Sequence, residues 1–271
     1  MGIITLLTDF GHDNWFAGTM KGVIKSISPS ADVVDICHEV KRHAVMEAAF
    51  MLRNAVGYFA AGTVHCVVVD PDVGSERAAI VVETDRYRFV APDNGVIGYA
   101  LEGQEVRQVV RIENERYMLA PVSRTFHGRD VFAPVAAYLD AGVAPAEFGP
   151  VVGTDGGGPS FVQLARSAPS RLSPSEALGH VLHVDRFGNL VTDLHESFLD
   201  ELIAGAAHGY FRLQVRDHEV QRFVGSYAEG RPGELIALVG SSGYLEIAVN
   251  RGSAREAIDI DEGGEFILKV L

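Results

Sequence analysis

Residues 64–77 read Val64-His65-Cys66-Val67-Val68-Val69-Asp70-Pro71-Asp72-Val73-Gly74-Ser75-Glu76-Arg77. The first six positions are almost continuously apolar and rich in β-branched side chains. This is the pattern of a strand covered on both faces, as parallel sheets require. The run stops at a loop carrying the carboxylates Asp70, Asp72 and Glu76 and the cation Arg77. In an open parallel sheet, ligands bind beyond the carboxyl ends of the strands, so this loop is a candidate site. Asp70 and Arg77 are placed to pair across it, and the guanidinium would keep Asp70 ionised. A turn with a surface ion pair is the plainer reading of the same residues.

Outward from this strand, the first 155 residues alternate strand and helix patterns. Ile3 to Leu7 reads as a strand ending near Asp9, and Trp15 to Ile27 as a helix stopped by Pro29. Val33 to Cys37 is a second strand, and Met46 to Phe59 a helix ended by Gly62. Ala79 to Val82 and Tyr87 to Ala91 are strands joined by a Thr84-Asp85-Arg86 turn, and Val131 to Leu139 is a helix ended by Gly142. The alternation predicts an α/β domain over 1–155 with a mostly parallel sheet. Residues 156–175 have linker composition, with Gly156-Gly157-Gly158-Pro159, Pro169 and Pro174. From 176 to 271, short strands are predicted at Leu178 to Val184, Tyr210 to Val215, Val220 to Val224, Leu235 to Val239, Tyr244 to Val249 and Phe266 to Val270. Their spacing predicts a smaller all-β, barrel-like domain.

Composition narrows the function. Of 271 residues, 47% are hydrophobic and 22% charged, which excludes a disordered chain. Lys and Arg number 23 against 36 Asp and Glu, a net charge of −13. Nucleic acid and anionic membranes reward a basic face, so neither is an expected partner, whereas a small cationic ligand is compatible. Cys37 and Cys66 both lie in apolar runs, the pattern of buried thiols in a reducing compartment rather than of a disulfide or zinc site. The start, Met1-Gly2-Ile3-Ile4-Thr5, lacks the basic region of a signal peptide, and the expected location is the cytoplasm.

Further motifs carry polar chemistry. Thr8-Asp9-Phe10-Gly11 follows the first strand; Asp9 can accept hydrogen bonds from a ribose diol, or simply cap a turn. Pro92-Asp93-Asn94-Gly95 holds a turn signal. Ser123-Arg124-Thr125-Phe126-His127-Gly128-Arg129-Asp130 places a proton-exchanging imidazole beside a glycine. Asp185-Arg186-Phe187-Gly188-Asn189 suits recognition of a flat polar heterocycle, and also reads as a hairpin loop. Gly240-Ser241-Ser242-Gly243-Tyr244-Leu245-Glu246 reads as a turn or as an amino-acid clamp. Asp-Phe-Gly and His-Gly-Arg-Asp echo kinase motifs but stand in the wrong order, and neither a phosphate-binding loop nor a dinucleotide fingerprint is present.

Taken together and in this order, these motifs, with Met20-Lys21-Gly22-Val23-Ile24, resemble the S-adenosylmethionine hydrolase (hydroxide adenosyltransferase) family, relatives of the S-adenosylmethionine-dependent fluorinases and chlorinases. The resemblance spans essentially the whole chain. It implies a homotrimer with active sites between the N-terminal domain of one subunit and the C-terminal domain of the next. The implied reaction converts S-adenosylmethionine and water into adenosine and L-methionine, without metal or redox cofactor. It implies that Asp70, Arg77 and His127 position the nucleophilic water and that Asp9 holds the ribose hydroxyls. It further implies that Asp185 holds the methionine amine, Asn189 reads adenine, and Ser241, joined by Glu246, contacts the methionine moiety. Phe10, Asn94, Phe187 and Tyr244 complete the expected substrate-binding set. Two positions depart from the pattern: Asp72 stands where Gly is expected, and Gly240 where many relatives have Asn. The competing expectations are a halogenase of the same family, against which the intact triad and the short stretch from Leu101 to Val122 argue, and a non-catalytic adenosine or S-adenosylmethionine sensor.

Overall fold

The computed structural model describes residues 2–154, 161–165, 167–204 and 211–271. They form two compact units, Met1–Leu164 and Ala165–Leu271. The Gly156–Pro159 run and the expected strand start at Tyr210 lie outside the described residues.

The first unit is built on a seven-stranded sheet: β1 (Ile3–Thr8), β2 (Asp32–Cys37), β3 (Val64–Val68), β4 (Ala79–Thr84), β5 (Arg88–Pro92), β6 (Val106–Arg111) and β7 (Val151–Thr154). Their order is β2-β1-β3-β5-β4-β6-β7. The pairs β1–β2, β1–β3 and β3–β5 are parallel, whereas β4–β5, β4–β6 and β6–β7 are antiparallel. The sheet is therefore mixed, not mostly parallel. The cause is the turn after β4. Thr84 Oγ1 accepts from the Tyr87 amide at 2.8 Å, and a connection this short joins only antiparallel strands. Reversal at that hairpin sends β4, β6 and β7 down the antiparallel half.

Three helices, α1 (Phe16–Ile27), α2 (Val45–Val56) and α3 (Ala133–Asp140), cover the sheet. In α1, Ala17, Met20 and Ile24 recur at helical spacing and are buried. Successive strand residues serve opposite faces. Ile4 and Leu6 of β1 join Val64, Cys66 and Val68 of β3 in a core that includes Met20 and Ile24 of α1 and Val135 and Leu139 of α3. Leu7, Val67 and Val69 join Ala48 and Leu52 of α2 on the other face. Cys66 is buried, and its burial pushes the thiol up to about 12; Cys37, expected to be buried, is only half-buried.

The second unit contains β8 (Ser170–Ser173), β9 (Glu176–Val184), β10 (Leu190–His195), β11 (Phe211–Val215), β12 (His218–Val220), β13 (Leu235–Val239), β14 (Tyr244–Val249) and β15 (Glu265–Val270). All named pairings are antiparallel, in the order β12-β11-β15-β9-β10-β14-β13 with β8 beside β9. Phe223, just past β12, bridges Ala237 of β13, so the sheet curls nearly into a barrel. The unit is not all-β. The helices α4 (Glu196–Ala204) and α5 (Ala254–Ile258) plug its core with Leu199, Leu202, Ala254 and Ile258. No helix among the described residues is long and apolar enough to cross a membrane.

Candidate active site

The parallel half of the first sheet brings its carboxyl ends to one edge. Thr8 of β1 pairs with Val68 of β3, so Asp9 and Asp70 leave the sheet side by side. Asp70 and Arg77, seven residues apart, close the loop. Arg77 Nε donates to Asp70 Oδ1 and Oδ2 at 2.9 and 3.0 Å, and its Nη2 donates to Oδ2 as well. Both side chains are nearly shielded, at 9% and 5% exposure. The guanidinium lies 5.2 Å from the centre of the Phe132 ring. Bidentate contact of this kind is the strong form of the Arg–carboxylate pair.

His127 reaches the same guanidinium. Its Nδ1 lies 2.8 Å from Arg77 Nη2. Arginine only donates, so Nδ1 accepts and a neutral imidazole carries its proton on Nε2. Burial, and then the Arg77 charge, hold His127 below its ordinary value of 6.5, against the pull of Asp70, Asp130 and the Ser123 carbonyl. His127 caps a π-helical turn, Gly128–Phe132, ahead of α3; such turns recur at functional sites. The preceding segment is fastened by Asp130, whose carboxylate accepts from the Ser123 amide at 2.8 Å and from Arg129 Nε at 2.6 Å. Gly74, at φ 80°, ties the two loops together, because a Cβ there would stand 2.3 Å from the Arg124 carbonyl oxygen.

Asp9, Phe10, Asp70 and His127 line one cavity of about 330 Å³, together with Arg42 and His43. The His43 amide donates to Asp9 Oδ2 at 2.9 Å. Phe10 and Phe126 meet edge to face at 5.9 Å. Asn94 does not line this cavity. Its amide donates to the Val69 carbonyl at 2.8 Å and its Oδ1 accepts from the Val96 amide at 3.2 Å, so it braces the end of β3 next to Asp70. Asp72 is exposed in the loop.

The remaining expected residues lie in the second unit. Asp185 Oδ1 accepts from the amides of Phe187 and Asn189 at 2.8 and 2.9 Å, and its Oδ2 accepts from Asn189 Nδ2 at 2.9 Å. This self-bonded turn presents Phe187, which is 76% exposed. Glu246, opposite Val191 in the ladder, is buried and accepts a short hydrogen bond from the Tyr227 hydroxyl. Burial raises its pKa, the Tyr227 bond opposes the rise, and the Asp185 charge adds to it. Gly240 accounts for its own departure: a Cβ there would fall 1.8 Å from Glu246 Oε1. The glutamate occupies the room that a side chain at 240 would need. Ser241 is exposed beside it and Tyr244 is buried.

The N-terminal domain profile of the SAM hydroxide adenosyltransferase family matches residues 4–149, and its C-terminal domain profile matches 179–267. The chain belongs to this family. An (R)-S-adenosyl-L-methionine hydrolase of Thermus thermophilus is 36% identical over 96% of each chain. A crystal structure of an uncharacterized conserved protein from Thermotoga maritima superposes with a TM-score of 0.87 at 36% identity, covering 98% of this chain and 99% of that one. A fluorinase of an Actinoplanes species is more distant, at 25% identity over 92% of this chain and 91% of its own.

Sequence reasoning passed over one residue that shapes this family member's site. His38, fully buried, faces Thr8 Oγ1 at 2.8 Å through Nδ1 and Asp35 Oδ1 at 3.0 Å through Nε2. Lys21 pairs with Asp35 at 2.5 Å. The His38 carbonyl accepts from the Gly11 amide at 2.7 Å, fixing the Asp9 turn. Its signal was Asp35-x-x-His38 at the carboxyl end of β2, the edge where β1 and β3 also deliver their polar residues.

Proposed function

We propose that the chain hydrolyses S-adenosyl-L-methionine to adenosine and L-methionine by in-line attack of water on the ribose C5′. The observation that carries this reading is the Asp70–Arg77–His127 constellation, two of whose members line a cavity also lined by Asp9. The sulfonium leaves as a neutral thioether, so departure needs no acid, metal or redox cofactor. The work left to the protein is to hold substrate and water in line and to receive a proton. With Nδ1 engaged by Arg77 and Nε2 protonated, His127 orients the guanidinium. Asp70, gripped by Arg77, is then the acceptor.

Asp9 is assigned to the ribose hydroxyls through Oδ1, since Oδ2 serves the His43 amide. Phe10 forms cavity wall. Asp185, Phe187, Asn189, Ser241, Tyr244 and Glu246 are assigned to adenine and the methionine moiety. We extend the proposal to a homotrimer in which a neighbouring copy supplies these second-unit residues, a reading favoured by the exposure of Phe187 in a turn otherwise closed on itself. Two free cysteines favour a reducing, cytoplasmic setting.

Incubation of the purified protein with S-adenosylmethionine, without halide, is expected to yield adenosine and methionine in equal amounts by chromatography. Absence of adenosine at high enzyme concentration, or appearance of 5′-chloro-5′-deoxyadenosine only when chloride is added, would overturn the assignment.

A further inference from the structure

A second cavity, of about 490 Å³, is lined by Ser75, Glu76, Arg77, Arg111, Glu113 and His127, with Val122 among its apolar walls. Asp70 lines only the first cavity, Arg77 only the second, and His127 both. The triad is thus the partition between them. The second cavity has polar walls and ample room, the conditions under which a cavity holds water. Arg77 supplies a reason for water to be ordered there. Its Nε and Nη2 are committed to Asp70 and His127, while its Nη1 has no acceptor among the described residues. A guanidinium so nearly shielded needs water on its remaining donors.

We propose that this second cavity is the water supply of the hydrolysis, entering past His127, an inference that rests on the reading above. In the reaction the C5′–O bond forms as the C5′–S bond breaks. The electron pair leaves on sulfur, and the attacking water loses its proton to Asp70. Each turnover consumes one water and releases one proton. The first cavity is at the small end of ligand sites, so an adenosyl group filling it leaves little room for exchange with solvent. The hydrated cavity behind His127 remains open, and His127 is the triad member that lines both cavities.

Val122 and Glu113 line only the second cavity, and both are exposed. Val122→Trp is expected to lower kcat at least fivefold with KM for S-adenosylmethionine unchanged. Adenosine affinity measured by calorimetry should stay at the wild-type value. Glu113→Trp tests the same cavity from a more exposed position, should Val122→Trp fail to fold, and is expected to act in the same direction. Unchanged kcat in the folded variants, or a fall that tracks a loss of adenosine affinity, overturns the passage. A wild-type enzyme that makes no adenosine overturns the hydrolase reading itself; the passage fails alone when the wild type is active and the variants either match it or lose activity in step with adenosine affinity.

Discussion

Two buried carboxylates, one in each unit, have opposite surroundings. Asp70 is gripped along two edges by a guanidinium. Glu246 is gripped by a phenol and lies within the field of a second carboxylate, Asp185. Desolvation disfavours the charged form of any buried acid, and an opposite charge close by opposes that preference strongly. Asp70 has that charge. Glu246 does not, and its pKa rises. The first arrangement holds a carboxylate paired with a guanidinium beside a cavity. The second holds an acid that gains from an arriving cation, which is what a substrate ammonium would bring. The same side-chain chemistry thus serves two purposes because one loop supplies an arginine and the other a tyrosine.

The largest effect is expected from removing the cation. Arg77→Ala leaves Asp70 buried and uncompensated, a situation that costs about 3–5 kcal/mol, read as a lower midpoint in urea denaturation. It also removes the group that orients Asp70 and engages His127, so adenosine release should fall ~10²–10⁴-fold. Arg77→Lys should recover little, because a point charge cannot bond Asp70 along two edges and His127 as well. Full activity in Arg77→Lys would show that only charge matters in the first region, as it does not in the second.

How much of this contrast was legible in the sequence differs between the regions. The Asp70–Arg77 pairing was readable because an apolar strand pointed into a short charged loop. The Glu246–Tyr227 pair was not: the partners are nineteen residues apart, on strand and loop, and neither spacing nor periodicity joins them. His38 had a local signal in Asp35-x-x-His38, but its contacts to Thr8 of β1 and the Gly11 amide appear only when β1 and β2 pair. In the fold, the Thr84-Asp85-Arg86 turn is legible in the sequence, whereas the antiparallel half-sheet beyond it rests on the β4–β6 and β6–β7 pairings, which join residues distant in the chain. β6 was missed because Val106-Arg107-Gln108-Val109-Val110-Arg111 breaks the alternation with polar residues. In α4 the apolar residues Phe198, Leu199 and Leu202 fill a barrel end, a need that is visible only once the barrel exists.

A smaller effect separates two roles for His127. If its task is to accept from Arg77 at Nδ1 while neutral, His127→Asn, which keeps an acceptor and an N–H, should retain roughly ten times the activity of His127→Ala. A base at this position would make the two variants equally poor. The pH profile carries the same information. The lowered pKa favours neutral His127 in the folded protein, so stability from this group is present above the ordinary histidine value and declines as pH falls toward the folded one. Activity that depends on neutral His127 should therefore persist below pH 6.5, the ordinary value, and fall only in more acid buffer.

The smallest effect tests the second region. Gly240 leaves space that the Glu246 carboxylate fills, so Gly240→Ala forces atoms to share it and should cost about 1–3 kcal/mol by overpacking. If the conflict is only with that side chain, Glu246→Ala in the same protein should recover most of the loss. The two substitutions are in contact and should be non-additive by about 1 kcal/mol or more in a double-mutant cycle. Glu246→Gln supplies the electrostatic control. A carboxyl whose folded pKa is raised contributes stability that is complete below its unfolded value and lost as pH rises through the folded one. The stability of Glu246→Gln relative to wild type should therefore improve from acid to neutral pH in urea denaturation. A difference that stays flat with pH would mean that Glu246 is held as an anion after all, and the two regions would then differ in geometry but not in charge.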